Sequence, residues 1–537
     1  MGYSLYKKFT IYLVAGVLLL LGVQACKSTY FRSNYHDANK LLHATEDLPT
    51  KPFLKAHLKN GEVWILRDTW QINSIENTVS GYGSRYNFNR ILITEGDLRI
   101  HIDSVAIFET NTKIESTENG RIAALTILTG LNIIGAAICF TNPKACFGSC
   151  PTFYINENDN FHYADAEGFS NAISPSLEYF DLDALNKQRI SGHTFSITMK
   201  NEALETHCVN DVKLLAYPVK KGERVYQTPS NDLYLCENHY PLRQAVGPEG
   251  DMTTLLRNED RQERFSLADE NNLSSKEEII LTFDNVTAVN DLGLIVNFRQ
   301  TLMTTYFIYS AMGYMGDEVS DFFARLETNE QAKAQLKTGF MQELGKIDIY
   351  AWDEDQQDWV AQKGFYETGP IAFNRQLLPL SITAKNSSVR LKVVLNKGLW
   401  RMDYLALTNL KKQVKALEIT PSTILNKGEP DAAALAKIQA PNNYLVAMPG
   451  DAYKFNFELP VADTDYELFL YTKGYYLEWM REHWLKDKDL YKLNQLVNHP
   501  KKYLRVEAKR YKQYESTMEQ AFWESRIDTK TFSYHEN

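Results

Sequence analysis

Short runs in which apolar and polar side chains alternate recur along most of this 537-residue chain, and that period of two decides its fold class. Successive side chains of a strand point to opposite faces, so alternation marks a strand with one face buried. Ala56-His57-Leu58-Lys59-Asn60-Gly61-Glu62-Val63-Trp64-Ile65-Leu66 alternates about an Asn-Gly turn, a strong hairpin signal. Gln71 to Ile75, Arg85 to Phe88 and Leu98 to Ile102 continue the pattern, and Val105 to Glu109 closes a small β module spanning 53–115. Gly81 and Gly83 punctuate it as a loop. No third glycine or following helix makes them a dinucleotide fingerprint.

The same period returns in two longer stretches. Arg189 to Met199, Val209 to Tyr217, Ile279 to Phe283 and Leu292 to Phe298 predict a β-sandwich-like module over 142–300. Lys346 to Trp352, Asp358 to Ala361, Ser388 to Leu395, Leu399 to Tyr404, Leu445 to Met448 and Tyr453 to Phe457 predict a second over 344–474. The 31 Tyr, 26 Phe and 8 Trp favour strands as well. Asp353-Glu354-Asp355-Gln356-Gln357 offers carboxylates to calcium but lacks the glycine and twelfth-position Glu of an EF-hand, so it reads as a solvated hairpin tip. Arg390 and Arg401 beside Asp403 read as a cross-strand ion pair, and Asp251 to Asn272 as an exposed, charged excursion. Met303, Phe307, Met312, Met315, Val319, Phe322 and Phe323 share a helical face within a helical segment, 301–343. Residues 475–537 read as a helical aromatic and basic tail that packs back on the body, with a partner protein or lipid headgroups as the competing contact. The fold class is therefore mainly β: a multi-domain chain of antiparallel β-sandwich-like modules with an internal apolar helix and a helical C-terminal tail.

Location is read at the other end. Lys7 and Lys8 precede an apolar run, Phe9 to Gly22, which makes residues 1–25 a secretory signal peptide. Leu21-Gly22-Val23-Gln24-Ala25-Cys26 resembles the lipobox of bacterial lipoproteins, in which cleavage before the cysteine exposes a thiol for acylation. That resemblance implies lipidation of Cys26, palmitate-like acyl chains, and a lipid bilayer as the first partner. Two or more acyl chains hold stably where one does not, since each buried methylene contributes about 0.8 kcal/mol. Residues 26–52 read as a polar tether. The uncharged run Ile122 to Phe140, within 116–141, is long enough to raise a second span but reads as a buried or surface-dipping helix.

Five cysteines follow Cys26: Cys139, Cys146, Cys150, Cys208 and Cys236. An exported chain can form disulfides. Cys146 and Cys150 could clip a tight loop, and Cys208 and Cys236 could bridge neighbouring strands; the same Cys146/Cys150 pair could instead serve thiol–disulfide redox chemistry. No metal site is predicted, because four suitably spaced ligands are missing around the nearest histidine, His162.

Cys146-Phe147-Gly148-Ser149-Cys150-Pro151-Thr152-Phe153-Tyr154, followed by Glu167-Gly168-Phe169-Ser170 and Pro175-Ser176-Leu177-Glu178, is similar to a segment of uncharacterised exported lipoproteins of the Bacteroidetes group. Asn201 to His207, Gly398 to Tyr404 and Gly474 to Trp479 extend the resemblance over most of the mature chain. It implies an envelope location, outer membrane and periplasmic or surface face, and a mostly β architecture; it brings no activity, cofactor or catalytic residue.

The formal net charge of −9 excludes nucleic acid as the main partner, because phosphate neutralisation needs clustered Lys and Arg. No His-Glu-x-x-His helix, Gly-x-Ser-x-Gly elbow or phosphate-binding loop is present, so no catalytic residue and no cofactor are assigned. His207 beside Glu205 and Cys208, and His162 near Asp165 and Glu167, read as exposed or capped strand residues. The leading expectation is a non-catalytic envelope lipoprotein that binds or assembles with another envelope protein. A carbohydrate-binding or glycan-active surface protein is the alternative, and a redox protein using Cys146 and Cys150 the third.

Overall fold

This computed structural model describes residues 29–32, 53–58, 62–86 except 68, 92–115, 150–155, 163–169, 172, 177–316 except 204 and 288–290, 343–478 except 367–368, 383–386, 442 and 449, and 487–530 except 525 and 527–528. Antiparallel sheets dominate it, as the period of two requires. The apolar run Ile122 to Phe140, Cys26, Cys139, Cys146 and His162 lie outside the described residues.

The N-terminal module is a seven-stranded sheet with its own core of Leu54, Ala56, Trp70, Val79, Ile100 and Phe108. Its opening hairpin pairs Phe53–Leu58 with Val63–Leu66, His57 opposite Val63, one residue off the register that a two-residue Asn-Gly turn would set. Thr29–Arg32 pairs with Val105–Glu115, so this sheet recruits a strand from the stretch read as tether.

The remaining strands form four sheets stacked in layers. The first sheet includes Thr152–Tyr154, Thr194–Lys200, Thr423–Asn426 and Ala452–Glu458. The second holds Tyr179–Ile190, Thr464–Glu478 and Glu205–Pro218. The third holds Arg224–Gln227, Leu233–Pro241, Leu292–Gln300, Asn374–Pro379 and Trp400–Val414. The fourth holds Gln244–Gly247, Lys276–Asp284, Ile347–Asp353, Asp358–Phe365 and Ser388–Asn396.

Strand Thr464–Glu478 shows how alternation builds the stack. Tyr466, Leu468 and Leu470 enter the core shared with the first sheet, with Phe195, Ile197 and Phe455. Phe469 on the opposite face joins Val225, Leu233 and Leu235 of the third sheet. The third and fourth sheets then enclose the largest core, where Leu294, Val296, Phe298 and Leu405 meet Ile279, Leu281, Leu391 and Val393. A strand inside such a stack is covered on both faces, which is why Leu292–Gln300 is buried along its whole length, its polar Asn297, Arg299 and Gln300 included.

Three helices close this core: α1, Met303–Met315; α2, Leu490–Asn498; and α3, Pro500–Glu524. Asp489 caps α2, accepting the Lys492 amide at 3.0 Å. The tail read as helical from 475 begins instead as strand, because Tyr475–Glu478 completes the ladder to Glu205–Cys208. The sheets also cross the expected boundaries at 300 and 344: Tyr179–Ile190 and Glu205–Pro218 both pair with Thr464–Glu478. The early and late strands are interleaved in the same sheets.

Candidate functional site

Among the described residues, an accessible concavity opens where the fourth sheet meets the third, at the tip of the hairpin formed by Ile347–Asp353 and Asp358–Phe365. It encloses about 580 Å³. Ala351, Leu380 and Val389 form an apolar floor, and Trp352 stands on the wall. Asp291, Asp353, Glu354, Asp355, Ser388 and Arg390 furnish the polar rim.

Register places these groups. Trp352 lies opposite Trp359, and the two indoles meet edge to face with centroids 5.3 Å apart. On the next strand the Arg390 guanidinium lies 5.1 Å above Trp352 and 5.6 Å above Trp359. Lys392 sits 5.0 Å over Tyr350 and 5.2 Å over Trp359. The outward face of the sheet is thus an alternating ladder of aromatic rings and cations, each cation held by ring quadrupoles. At the tip, Asp353 Oδ1 accepts the amides of Asp355 at 2.8 Å and Gln356 at 3.1 Å, which fixes the acidic turn at the rim. The turn is solvated, as its sequence implies. A cavity with an apolar floor, an indole wall and a few convergent carboxylates and hydroxyls suits a ligand with one apolar face and several hydrogen-bond donors.

The other charged groups hold the layers together. Arg299, 1% exposed, makes a two-pronged pair with Glu263 at 2.5 and 2.7 Å and reaches Glu519 of α3 at 2.6 Å. Its guanidinium also stacks 4.5 Å from Tyr163. Arg401 joins the same cluster, 2.6 Å from Glu519. It does not pair with Asp403, whose carboxylate accepts the Asn297 amide at 3.0 Å; Arg390 is taken up by the indoles. The expected Arg390–Arg401–Asp403 pairing is therefore not formed: Arg390 stands on the fourth sheet, and a bulge at Asp403 breaks the alternation that would put it on the same face as Arg401. Arg264 is likewise buried, 2.6 Å from Glu277 and 2.7 Å from Glu249, so the 251–272 excursion folds partly inward.

Between the second and third sheets lies a further polar cluster. Arg224 pairs with Glu467, and Arg375 with Glu259. The Tyr226 hydroxyl and His239 Nε2 share a hydrogen bond at 2.7 Å. Burial, reinforced by Arg224 and Arg375, pushes the His239 imidazole down to about 4. Burial raises the Glu467 carboxyl above its usual range despite Arg224 beside it.

His207 is fully buried, not an exposed strand residue, and its Nε2 lies 2.8 Å from Glu205 Oε1. With Nε2–H donated to the carboxylate, Nδ1 is left as an acceptor without a hydrogen-bond partner. A carboxylate-oriented imidazole of this kind is a base in form, but at 0% exposure it reaches no substrate. Cys208 and Cys236 do not bridge: Cys208 packs in the first–second core, and Cys236, 0% exposed, packs in a separate cluster with Tyr226, Ile295, Leu377 and Ala406 of the third sheet. No disulfide joins the described cysteines. Burial pushes the Cys236 thiol up to about 12, which keeps it protonated. Cys150 is 5% exposed, its Sγ 3.8 Å from the Glu167 carboxylate. That carboxylate also accepts the Ile371 amide at 3.1 Å, and Gly369 passes so close, at φ 96°, that a Cβ there would overlap it.

The buried arginines and carboxylates were not foreseen from sequence; their signal is a charge inside an otherwise apolar run, as in Tyr466-Glu467-Leu468 and Phe298-Arg299. Among the described residues, no group of three or more His, Cys, Asp or Glu could hold a metal, and no helix is long and apolar enough to cross a membrane. Compared with known proteins, the chain matches no family model and no curated protein.

Proposed function

We propose that this chain is a lipoprotein of the cell envelope, tethered through acylated Cys26, that acts as a non-catalytic binding or assembly subunit. The observation that supports binding is the cleft at Trp352: it is open, whereas the buried ionic groups are spent on joining layers. The test is a pull-down of the full chain from gently crosslinked envelopes beside its Cys26→Ser variant. A stoichiometric protein partner captured by the acylated chain and lost with the anchor is expected. Correct placement with no protein partner would overturn the assembly reading.

A saccharide ligand is the second reading, favoured by the indole wall flanked by carboxylates and Arg390. Stacking on an aromatic face contributes on the order of 1 kcal/mol. Trp352→Ala should therefore weaken glycan binding about fivefold in a titration followed by calorimetry. Equal affinity of the variant would remove the cleft from that reading.

A further inference from the structure

The first half of helix α3 presents most of its cations away from the body. The helix carboxylates Glu507, Glu515 and Glu519 turn toward the body, where they accept the Tyr306 hydroxyl at 2.5 Å, the Ala268 amide at 2.6 Å and the Arg299 guanidinium at 2.6 Å. Tyr503, Leu504, Ala508 and Tyr511 bury the same face. The opposite face exposes Lys501, Lys502, Arg505 and Lys509 within three turns, while Arg510 and Lys512 stay at the body side, 3.3 Å from the Tyr314 hydroxyl and 3.0 Å from the Ala268 carbonyl. Lys501 lies 3.9 Å from Glu343, and Arg510 lies 3.6 Å from Glu507. Lys502, Arg505 and Lys509 have no carboxylate within ion-pairing distance among the described residues. Helix stability does not explain this arrangement, because cations in the first turn oppose the helix dipole, and no acidic residue stands there to offset them. Nor does overall charge, since the chain is acidic at −9. Val506, 70% exposed, lies among the cations, and Tyr514, 45% exposed, ends the row. Cations interspersed with an aliphatic side chain and a tyrosine match a headgroup layer, where ammonium and guanidinium groups meet phosphates and tyrosine sits at the boundary.

We infer that the exposed face of α3 docks on an anionic lipid surface and so sets the orientation of the tethered molecule over its membrane. This inference rests on the membrane-tethered reading of the chain. It is tested with the acylated full chain in phosphatidylcholine vesicles with and without phosphatidylglycerol, each carrying a photo-crosslinkable lipid, with crosslinked peptides mapped by mass spectrometry. Crosslinks to 499–515 are expected in the anionic vesicles alone. They should fall about tenfold in high salt and in the triple variant Lys502→Glu, Arg505→Glu, Lys509→Glu, whose positions are exposed and whose folding is checked by circular dichroism. Crosslinks confined to the N-terminal segment in every vesicle would overturn the docking face while leaving the tether standing. No crosslinks anywhere would overturn both.

Discussion

At the scale of single residues, the informative side chains are polar groups placed where alternation demands a buried position. His239 lies half-buried between Tyr226 and the two arginines Arg224 and Arg375. Its pKa is depressed from 6.5 to about 4, so between those values the unfolded chain binds a proton that the folded chain refuses. The stability associated with neutral His239 is present above pH 6.5 and lost as pH falls toward 4. After allowing for its partial exposure, the effect is about 2 kcal/mol. Urea midpoints at pH 7 and about pH 4.5 should show the gap between wild type and His239→Gln shrinking by that amount. A gap independent of pH would show that the imidazole titrates normally. Glu205 and His207 make the same general point: the sequence places them two apart on a strand, but only packing decides that both are sealed.

At the scale of elements, α3 carries the bond between tail and body. Amphipathic spacing predicts a helix that packs, and Leu504, Ala508 and Tyr511 do pack. What fixes its position is Glu519, shared by Arg299 and Arg401, with Glu263 completing the set. Removing one member of a buried ionic cluster leaves an uncompensated charge, so Arg299→Met should cost about 3–5 kcal/mol, read from thermal or urea unfolding. Arg299→Lys should recover only part, since an ammonium cannot reproduce the two-pronged contact with Glu263. A loss below about 1 kcal/mol for Arg299→Met would mean the cluster is incidental to docking of the helix. Sequence showed none of this cluster, because its members stand at 263, 299, 401 and 519 and nothing local relates them.

At the scale of the whole molecule, the decisive fact is that Thr464–Glu478 lies between Tyr179–Ile190 and Glu205–Pro218. A chain truncated before 464 loses the centre of its second sheet, so residues 179–218 should fail to fold and become open to protease throughout. The seven-stranded N-terminal sheet, with its separate core, should stay resistant in the same digest. Protection of 179–218 in the truncated chain would contradict the interleaved architecture. Sequence by itself determined the elements: period-two runs became antiparallel strands, Asn60-Gly61 lies between two paired strands, and the acidic turn at 353–357 became a solvated tip, all because these choices are set by side-chain direction and backbone freedom within a few residues. Only the tertiary structure decided the rest. It interleaved strands nearly three hundred positions apart, kept Cys208 from Cys236, sealed His207, sent Arg401 to Glu519, and opened a cleft beside Trp352. Those outcomes depend on which faces meet across layers, and alternation states that a face is apolar without naming the face that will cover it.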